Sequence, residues 1–293
     1  KFYSTMKINN YILVSILSTA VTFNASVAHA QDTDGMHFLG SDIKLRQTKC
    51  FKLPVDYDYG NMRYVMTNNN DSTGSRYIIG SMKRKAFVKD VNAIYRHADY
   101  GHNTGNTVYY QTNDDRVLAQ PVAGMLRELT LFSNVGRVYL ASNIVREARK
   151  IRKDTSTVMS FNVKRQMTVT NVLKSCEGHF EMEINIMPDT SRTSTLLLCN
   201  ENGDACHICF DMTVGKLTIK DAESEIGSAP LDLCEGGTFR LDIFVNKNHL
   251  DVFVDEGRIA VNGNLKQHKP FSTICFSSTG GKTKFSGINV YRL

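Results

Sequence analysis

The sequence predicts an all-β fold that ends in a two-sheet, jelly-roll-like β-sandwich, and three observations carry the prediction. Residues 239–261 (FRLDIFVNKNHLDVFVDEGRIAV) alternate apolar and polar with period two: Phe239, Leu241, Ile243 and Val245 precede a polar tip, and Leu250, Val252 and Val254 follow it. Short runs rich in Val, Ile, Phe, Tyr and Thr recur along the rest of the chain, punctuated by Gly, Asn, Asp and Ser. A helical period is confined to one stretch, 142–154.

With 293 residues, 42% of them hydrophobic, the chain can bury a sizeable core, and disorder is not expected. Its 35 basic and 29 acidic residues leave a net charge of +6, mild and scattered, without a basic patch or nucleic-acid motif. Nucleic acid is therefore set aside as a partner.

Taken in order, Met6, Lys7, the apolar stretch 11–23 and Ala28-His29-Ala30 have the layout of an export signal over residues 1–30, cleaved near Ala30. That predicts a periplasmic or extracellular mature chain beginning near Gln31. The apolar stretch is too short, and too rich in Ser, Thr and Asn, for a stable membrane span. Within residues 31–141, strands are expected at 51–55, 61–67, 76–80, 87–88, 108–112, 116–118 and 126–132. Turns are expected at 57–61 and an exposed loop at 68–75. Residues 142–154 read as a linker helix: Ser142 or Asn143 would cap it, and Ile144, Val145, Ala148 and Ile151 share one face opposite Arg146, Arg149, Lys150 and Lys153. From residue 155 to 293 the pattern is strand after strand, enough for two packed sheets. Turns at 246–249 and at Asp255-Glu256-Gly257 make the 239–261 stretch a three-strand meander, with glycine supplying the positive φ of the second turn.

Seven cysteines, an odd number, leave at least one thiol unpaired or shared between chains in an exported protein. Cys206-His207-Ile208-Cys209 has the C-x-x-C form, but no second ligand pair at zinc spacing follows it. Cys199, Cys206, Cys209 and Cys275 are expected to fill space in strands as small hydrophobes. Neither a metal nor a cofactor is called for, and no phosphate loop or nucleophile elbow occurs.

The runs Leu241-Asp242-Ile243-Phe244-Val245 and Leu250-Asp251-Val252-Phe253-Val254-Asp255-Glu256-Gly257, with the closing Gly287-Ile288-Asn289-Val290-Tyr291-Arg292-Leu293, resemble the carboxy-terminal β-sandwich of glycoside hydrolase family 32. Invertases, inulinases and levanases make up that family. Met125-Leu126-Arg127-Glu128-Leu129-Thr130-Leu131 is similar to the end of its propeller, although Leu126 stands where the family pattern has proline. Residues 136–152 are similar to its linker passage. Asp99-Tyr100-Gly101 and Tyr110-Gln111-Thr112 resemble a late blade, and the segments 51–56 and 75–80 also resemble blade segments.

The resemblance implies a five-bladed β-propeller carrying the active site, joined to the sandwich. Residues 31–141 leave room for about two blades at roughly 40–50 residues each, an incomplete β-propeller remnant with open sheet edges. The resemblance also implies Asp99 and Tyr100 as substrate-binding positions. Retaining hydrolysis needs two carboxyl groups about 5–5.5 Å apart. The family's nucleophile and stabiliser motifs contain Trp or an Asp-Pro dipeptide, and this sequence has neither. At the acid/base position, alignment from Phe51 places Arg46, and matching Cys50 places Lys49; neither can protonate a glycosidic oxygen as a raised-pKa carboxyl would. The other carboxylates considered, Asp114, Asp115, Asp251, Asp255 and Glu256, are expected to be solvated.

Three functions are therefore expected in order. The first is a truncated or degenerate family 32 protein without hydrolytic activity, whose sandwich is structural or contacts a fructan- or sucrose-type carbohydrate. The second is an active β-fructofuranosidase or levanase whose missing blades come from another chain or from the rest of an interrupted reading frame. The third is an unrelated carbohydrate-binding module that stacks sugars on Tyr109, Tyr110 and Tyr291, against which stands simple burial of those rings.

Overall fold

The computed structural model describes residues 39, 41–70, 74–102, 106–266 and 269–293. The export signal expected at 1–30 lies outside the described residues. Three antiparallel-dominated sheets account for most of the rest, as the alternating pattern requires.

The first sheet has ten strands: β1 (Leu45–Gln47), β2 (Cys50–Val55), β3 (Asp58–Asn70), β4 (Gly74–Lys83), β5 (Ala86–Lys89), β6 (Arg96–His97), β7 (Thr107–Thr112), β8 (Val117–Pro121), β9 (Arg127–Asn134) and β10 (Arg137–Ile144). It consists of two antiparallel groups, β2 to β6 and β1 with β7 to β10, that meet through a single parallel pairing of Val55 with Leu131. Each group is blade-like, and together they form an incomplete propeller. Their shared core holds Phe51, Leu53, Val65, Tyr77, Ile79, Tyr109, Leu129 and Leu131.

The sandwich follows. Its seven-stranded sheet runs β11 (Thr155–Val158), β23 (Thr283–Arg292), β14 (His179–Met187), β19 (Phe239–Asn246), β20 (His249–Val254) and β21 (Ile259–Asn264), with β12 (Phe161–Val163) also on β23. The six-stranded sheet runs β13 (Gln166–Val169), β22 (Thr273–Thr279), β15 (Thr193–Cys199), β16 (Ala205–Asp211), β17 (Lys216–Asp221) and β18 (Ser224–Pro230). Inward positions alternate along each strand. Phe180, Met182, Ile184, Leu196, Leu198, Phe210, Phe239, Leu241, Phe276 and Phe285 meet between the sheets. Ring pairs Phe210–Phe239 and Phe276–Phe285, with centroids 4.8 and 4.9 Å apart, hold the layers in register.

The 239–261 meander forms in the expected register, with Leu241 opposite Val254, Val245 opposite Leu250 and Val252 opposite Val261. Gly257 has φ +82°, and a Cβ there would lie 2.4 Å from the Ser142 carbonyl oxygen, so glycine is required on both counts.

Three local expectations are corrected. The stretch 142–154 is not one helix capped by Ser142 or Asn143: β10 runs to Ile144, pairing residue by residue with β9, and only Arg146–Ile151 coil, as a 3-10 helix without a side-chain cap. The pairing that buries Ile144 outweighs the local capping preference of Ser142. The hairpin turn after β2 falls at Asp56-Tyr57, both at positive φ, rather than over 57–61. β3 and β4 likewise extend into the loop expected at 68–75, because their pairing continues to Asn70 opposite Gly74.

Candidate functional site

Asp99 and Tyr100, the two positions that the resemblance assigns to sugar contact, sit at the seam between the ten-stranded sheet and the sandwich. Here the chain inserts between the edge strands of the two sandwich sheets. The Tyr100 amide donates to the Ala260 carbonyl of β21 (2.9 Å), and the Tyr100 carbonyl accepts from the Ser228 amide of β18 (3.2 Å). The His102 amide donates to the Ile226 carbonyl (2.6 Å), and Gly101 bridges Gly227. Both edges thereby gain partners for backbone groups that would otherwise lack them. The approach is close: a Cβ on Gly227 would lie 2.5 Å from the Tyr100 carbonyl oxygen and 2.8 Å from the Gly101 Cα. Burial raises the Tyr100 hydroxyl well above the usual tyrosine range.

Beneath this seam runs a chain of buried charges. Arg127, at the start of β9 and 2% exposed, donates through Nη1 to Asp99 and through Nη2 to Asp251 Oδ1 at 2.8 Å. Asp251 Oδ2 accepts from the Met125 amide at 3.0 Å and lies 3.5 Å from His249 Nε2. His249 Nδ1 is 3.1 Å from Asn264 Oδ1. Asp99 Oδ1 also accepts from the amides of Gly101 (2.7 Å) and Asn262 (3.1 Å), and the Asn262 side chain donates to the Ala123 carbonyl. The guanidinium rests 5.1 Å from the Phe253 ring centroid. Burial alone would raise Asp251, but the His249 hydrogen bond and the Arg127 charge hold it below the usual carboxylate range. Burial alone would lower His249, but Asp251 raises it.

A cavity of about 10 Å³, the size of one water, adjoins Asp99, Tyr109, Arg127 and Ser142. Both carboxylates are committed to one guanidinium, and no sugar ring fits a cavity of that volume. As it stands, the arrangement ties two modules together and leaves neither carboxylate free to attack an anomeric carbon.

The other candidates disperse. Cys206 and Cys209, three residues apart on β16, face opposite sides of the strand, Cys206 into the core and Cys209 outward, so they cannot share a metal. Arg46 and Lys49 are exposed on and beside β1. Asp114 is held by Arg116 (2.9 Å) and Thr112, while Asp115 and Glu256 are exposed in turns. Asp255 accepts from the Arg240 amide. Tyr109 is 2% exposed and bonded to Ser75, Tyr110 is partly buried against the apolar side of the seam, and the Tyr291 hydroxyl donates to Glu183 at 2.9 Å. Burial and hydrogen bonding occupy all three rings proposed for stacking.

One correction concerns Asp251, expected in solvent. It is 1% exposed because β20 is buried on both faces: one face packs into the sandwich, and the other, with Asp251 and Phe253, packs against the ten-stranded sheet. Sequence reading also passed over Glu181, Glu183 and Asp242, whose carboxyl oxygens cluster within 4.8 Å on the outer face of β14 and β19. Arg152 fills the place of a cation there, donating to Glu181 (2.6 Å) and Glu183 (2.5 Å) and lying 3.9 Å from the Tyr291 ring centroid. Burial, then the neighbouring Glu181, raise Asp242 far above the ordinary carboxylate range, so that it keeps its proton.

Comparison with known proteins agrees with this architecture. The family profile described as "Glycosyl hydrolases family 32 C terminal" matches residues 147–292. No curated protein matches the chain. Among solved structures, the exo-inulinase from Aspergillus awamori superposes with a TM-score of 0.61 at 14% identity, over 87% of this chain and 58% of that one. Fructan 1-exohydrolase IIa from Cichorium intybus gives 0.66 at 10% identity, over 83% of this chain and 60% of that one. The GH32 β-fructofuranosidase of Bombyx mori gives 0.57 at 16% identity, over 84% and 54%. The chain thus spans less than two thirds of the length of these structures. With its carboxy-terminal half matching the family's sandwich and its strands superposing on fructan-hydrolase folds, the chain belongs to glycosyl hydrolase family 32.

Proposed function

We propose that this chain does not hydrolyse fructans by itself, and that its sandwich acts as a support for, or a contact surface to, a fructan- or sucrose-type carbohydrate. The observation that carries the reading is the commitment of Asp99 and Asp251 to Arg127, which holds both buried carboxyl groups against one guanidinium and screens them from any substrate. The missing Trp and Asp-Pro, and the basic residues Arg46 and Lys49 at the acid/base position, support it. Purified chain incubated with sucrose, inulin or levan is expected to release no fructose above a no-protein control. Release from any of the three overturns the reading, and the substrate that reacts names the specificity.

A second reading is favoured by the shape of the ten-stranded sheet. Two blade-like groups leave β1 and β5 as outer strands, and the chain covers 58% of the inulinase structure. If another chain supplies the remaining blades, an active β-fructofuranosidase results, and sugar contact by Asp99 and Tyr100 belongs to that assembly. In that case a partner polypeptide carrying a Trp-Met-Asn-Asp-Pro segment should co-purify, and fructose release should appear only in the mixture.

A further inference from the structure

We propose that Cys199 and Cys275 are a redox-responsive dithiol that closes to a disulfide on reaction with an oxidised low-molecular-weight disulfide. Among the described residues all seven cysteines are free. Five are unsuited to the role: Cys176, Cys206 and Cys234 are buried, Cys50 lies in the other module, and Cys209 faces Thr195 and Thr218 on neighbouring strands. Cys199 and Cys275 differ. They project from the outward, half-buried positions of the adjacent strands β15 and β22 of the six-stranded sheet. The register pairs Leu197 with Cys275 and Cys199 with Thr273, so the two cysteines are diagonal neighbours on one face, with their Sγ atoms 3.8 Å apart.

The geometry also orders the chemistry. Cys275 Sγ accepts from the Cys199 thiol and lies 3.5 Å from the Thr168 hydroxyl on β13, which can donate to the same sulfur. Burial, and then the adjoining Cys275, push the Cys199 thiol up to about 12. Cys199 therefore keeps its proton, and Cys275 makes the first attack. Its thiolate displaces one thiolate from the small disulfide to form a mixed disulfide. Cys199 then gives up its proton and attacks the Cys275 sulfur, expelling the second thiolate. Two electrons pass from the protein thiols to the small disulfide, two protons are taken up by the departing thiolates, and one S–S bond replaces another. Diagonal strand positions lie about 7–8 Å apart at Cα, at or beyond the upper limit for a relaxed disulfide, so the bond is expected to be readily reduced. It would staple β15 to β22 and enclose every strand from β16 to β21.

The test treats the folded full chain with oxidised glutathione, blocks remaining thiols by alkylation, and maps peptides by mass spectrometry with and without dithiothreitol. The expected result is a Cys199–Cys275 cross-linked peptide, lighter by two hydrogens and lost on reduction, with the other five cysteines alkylated. Cys199→Ser should leave a single glutathione adduct on Cys275, whereas Cys275→Ser, lacking the attacking thiol, should leave Cys199 without one. Separate glutathione adducts on Cys199 and Cys275 of the unaltered chain without the cross-link would overturn the proposal, as would a cross-link to another cysteine.

Discussion

Replacing Arg127 by Met would remove the charge at the centre of the seam while keeping its bulk. Two ion pairs disappear, to Asp99 and to Asp251 at 2.8 Å, each worth about 4 kcal/mol at 4 Å with an effective dielectric constant near 20. Relief of the guanidinium's own desolvation cost offsets much of that. What remains is two buried carboxylates, 5% and 1% exposed, with only His249 and backbone amides for company. Breaking a buried pair in this way costs about 3–5 kcal/mol. The chain has no tryptophan, so urea unfolding followed by far-UV circular dichroism is the appropriate assay.

The pH dependence gives a second readout. In the wild type, the lowered folded pKa of Asp251 contributes stability that is present above the ordinary carboxylate pKa of about 4 and is lost as pH falls through the folded value. In Arg127→Met, Asp251 loses that cation and its folded pKa rises, so the variant recovers part of its deficit between pH 8 and pH 5. Adding Asp99→Asn and Asp251→Asn should restore most of the remainder. A deficit below about 1 kcal/mol, or one that widens as pH falls, would refute the reasoning.

Gly227→Ala forces a Cβ against the Tyr100 carbonyl and Gly101 Cα, backbone atoms that cannot swing away; a loss of about 2 kcal/mol is expected. It should come with faster hydrogen exchange at the Tyr100 and Ser228 amides, and unchanged exchange there would count against the packing described. Asp242→Asn removes a carboxyl whose folded pKa is raised. The wild type is penalised as pH rises above about 4, where the unfolded chain loses that proton. The variant should therefore be more stable than the wild type at pH 8, by roughly 1–2 kcal/mol, with the difference vanishing near pH 4. Equal urea midpoints at pH 8 would show that Asp242 is ionised in the fold.

The sandwich was legible because each strand declares its inward face locally. The alternation of Phe239, Leu241 and Ile243 needs no knowledge of its partners, and the positive φ at Gly257 is announced by the glycine itself. The seam was not legible. Arg127 meets Asp99 and Asp251 across 28 and 124 residues, and nothing in the neighbourhood of any of the three marks it as one end of a pair. Asp251 was misjudged because period two assigns it to the face opposite Val252, and that face is ordinarily solvent; here it is a second interface. The 3-10 turn at Arg146–Ile151 was mistaken for a longer helix because Ile144, Val145, Ala148 and Ile151 satisfy a helical period, although the first two are buried by strand pairing and its immediate continuation.

The apolar side of the seam has a bearing on how the chain is made. Leu118, Leu126, Ile144, Val145 and Ala148 pack on Phe244, Phe253 and Ala260, which leave the ribosome about a hundred or more residues later, on the order of ten seconds at usual elongation rates. During that interval the first-made sheet carries an uncovered greasy surface and two raw edges. A nascent protein of this design is at its most vulnerable to aggregation or to a chaperone's grip before β20 and β21 arrive.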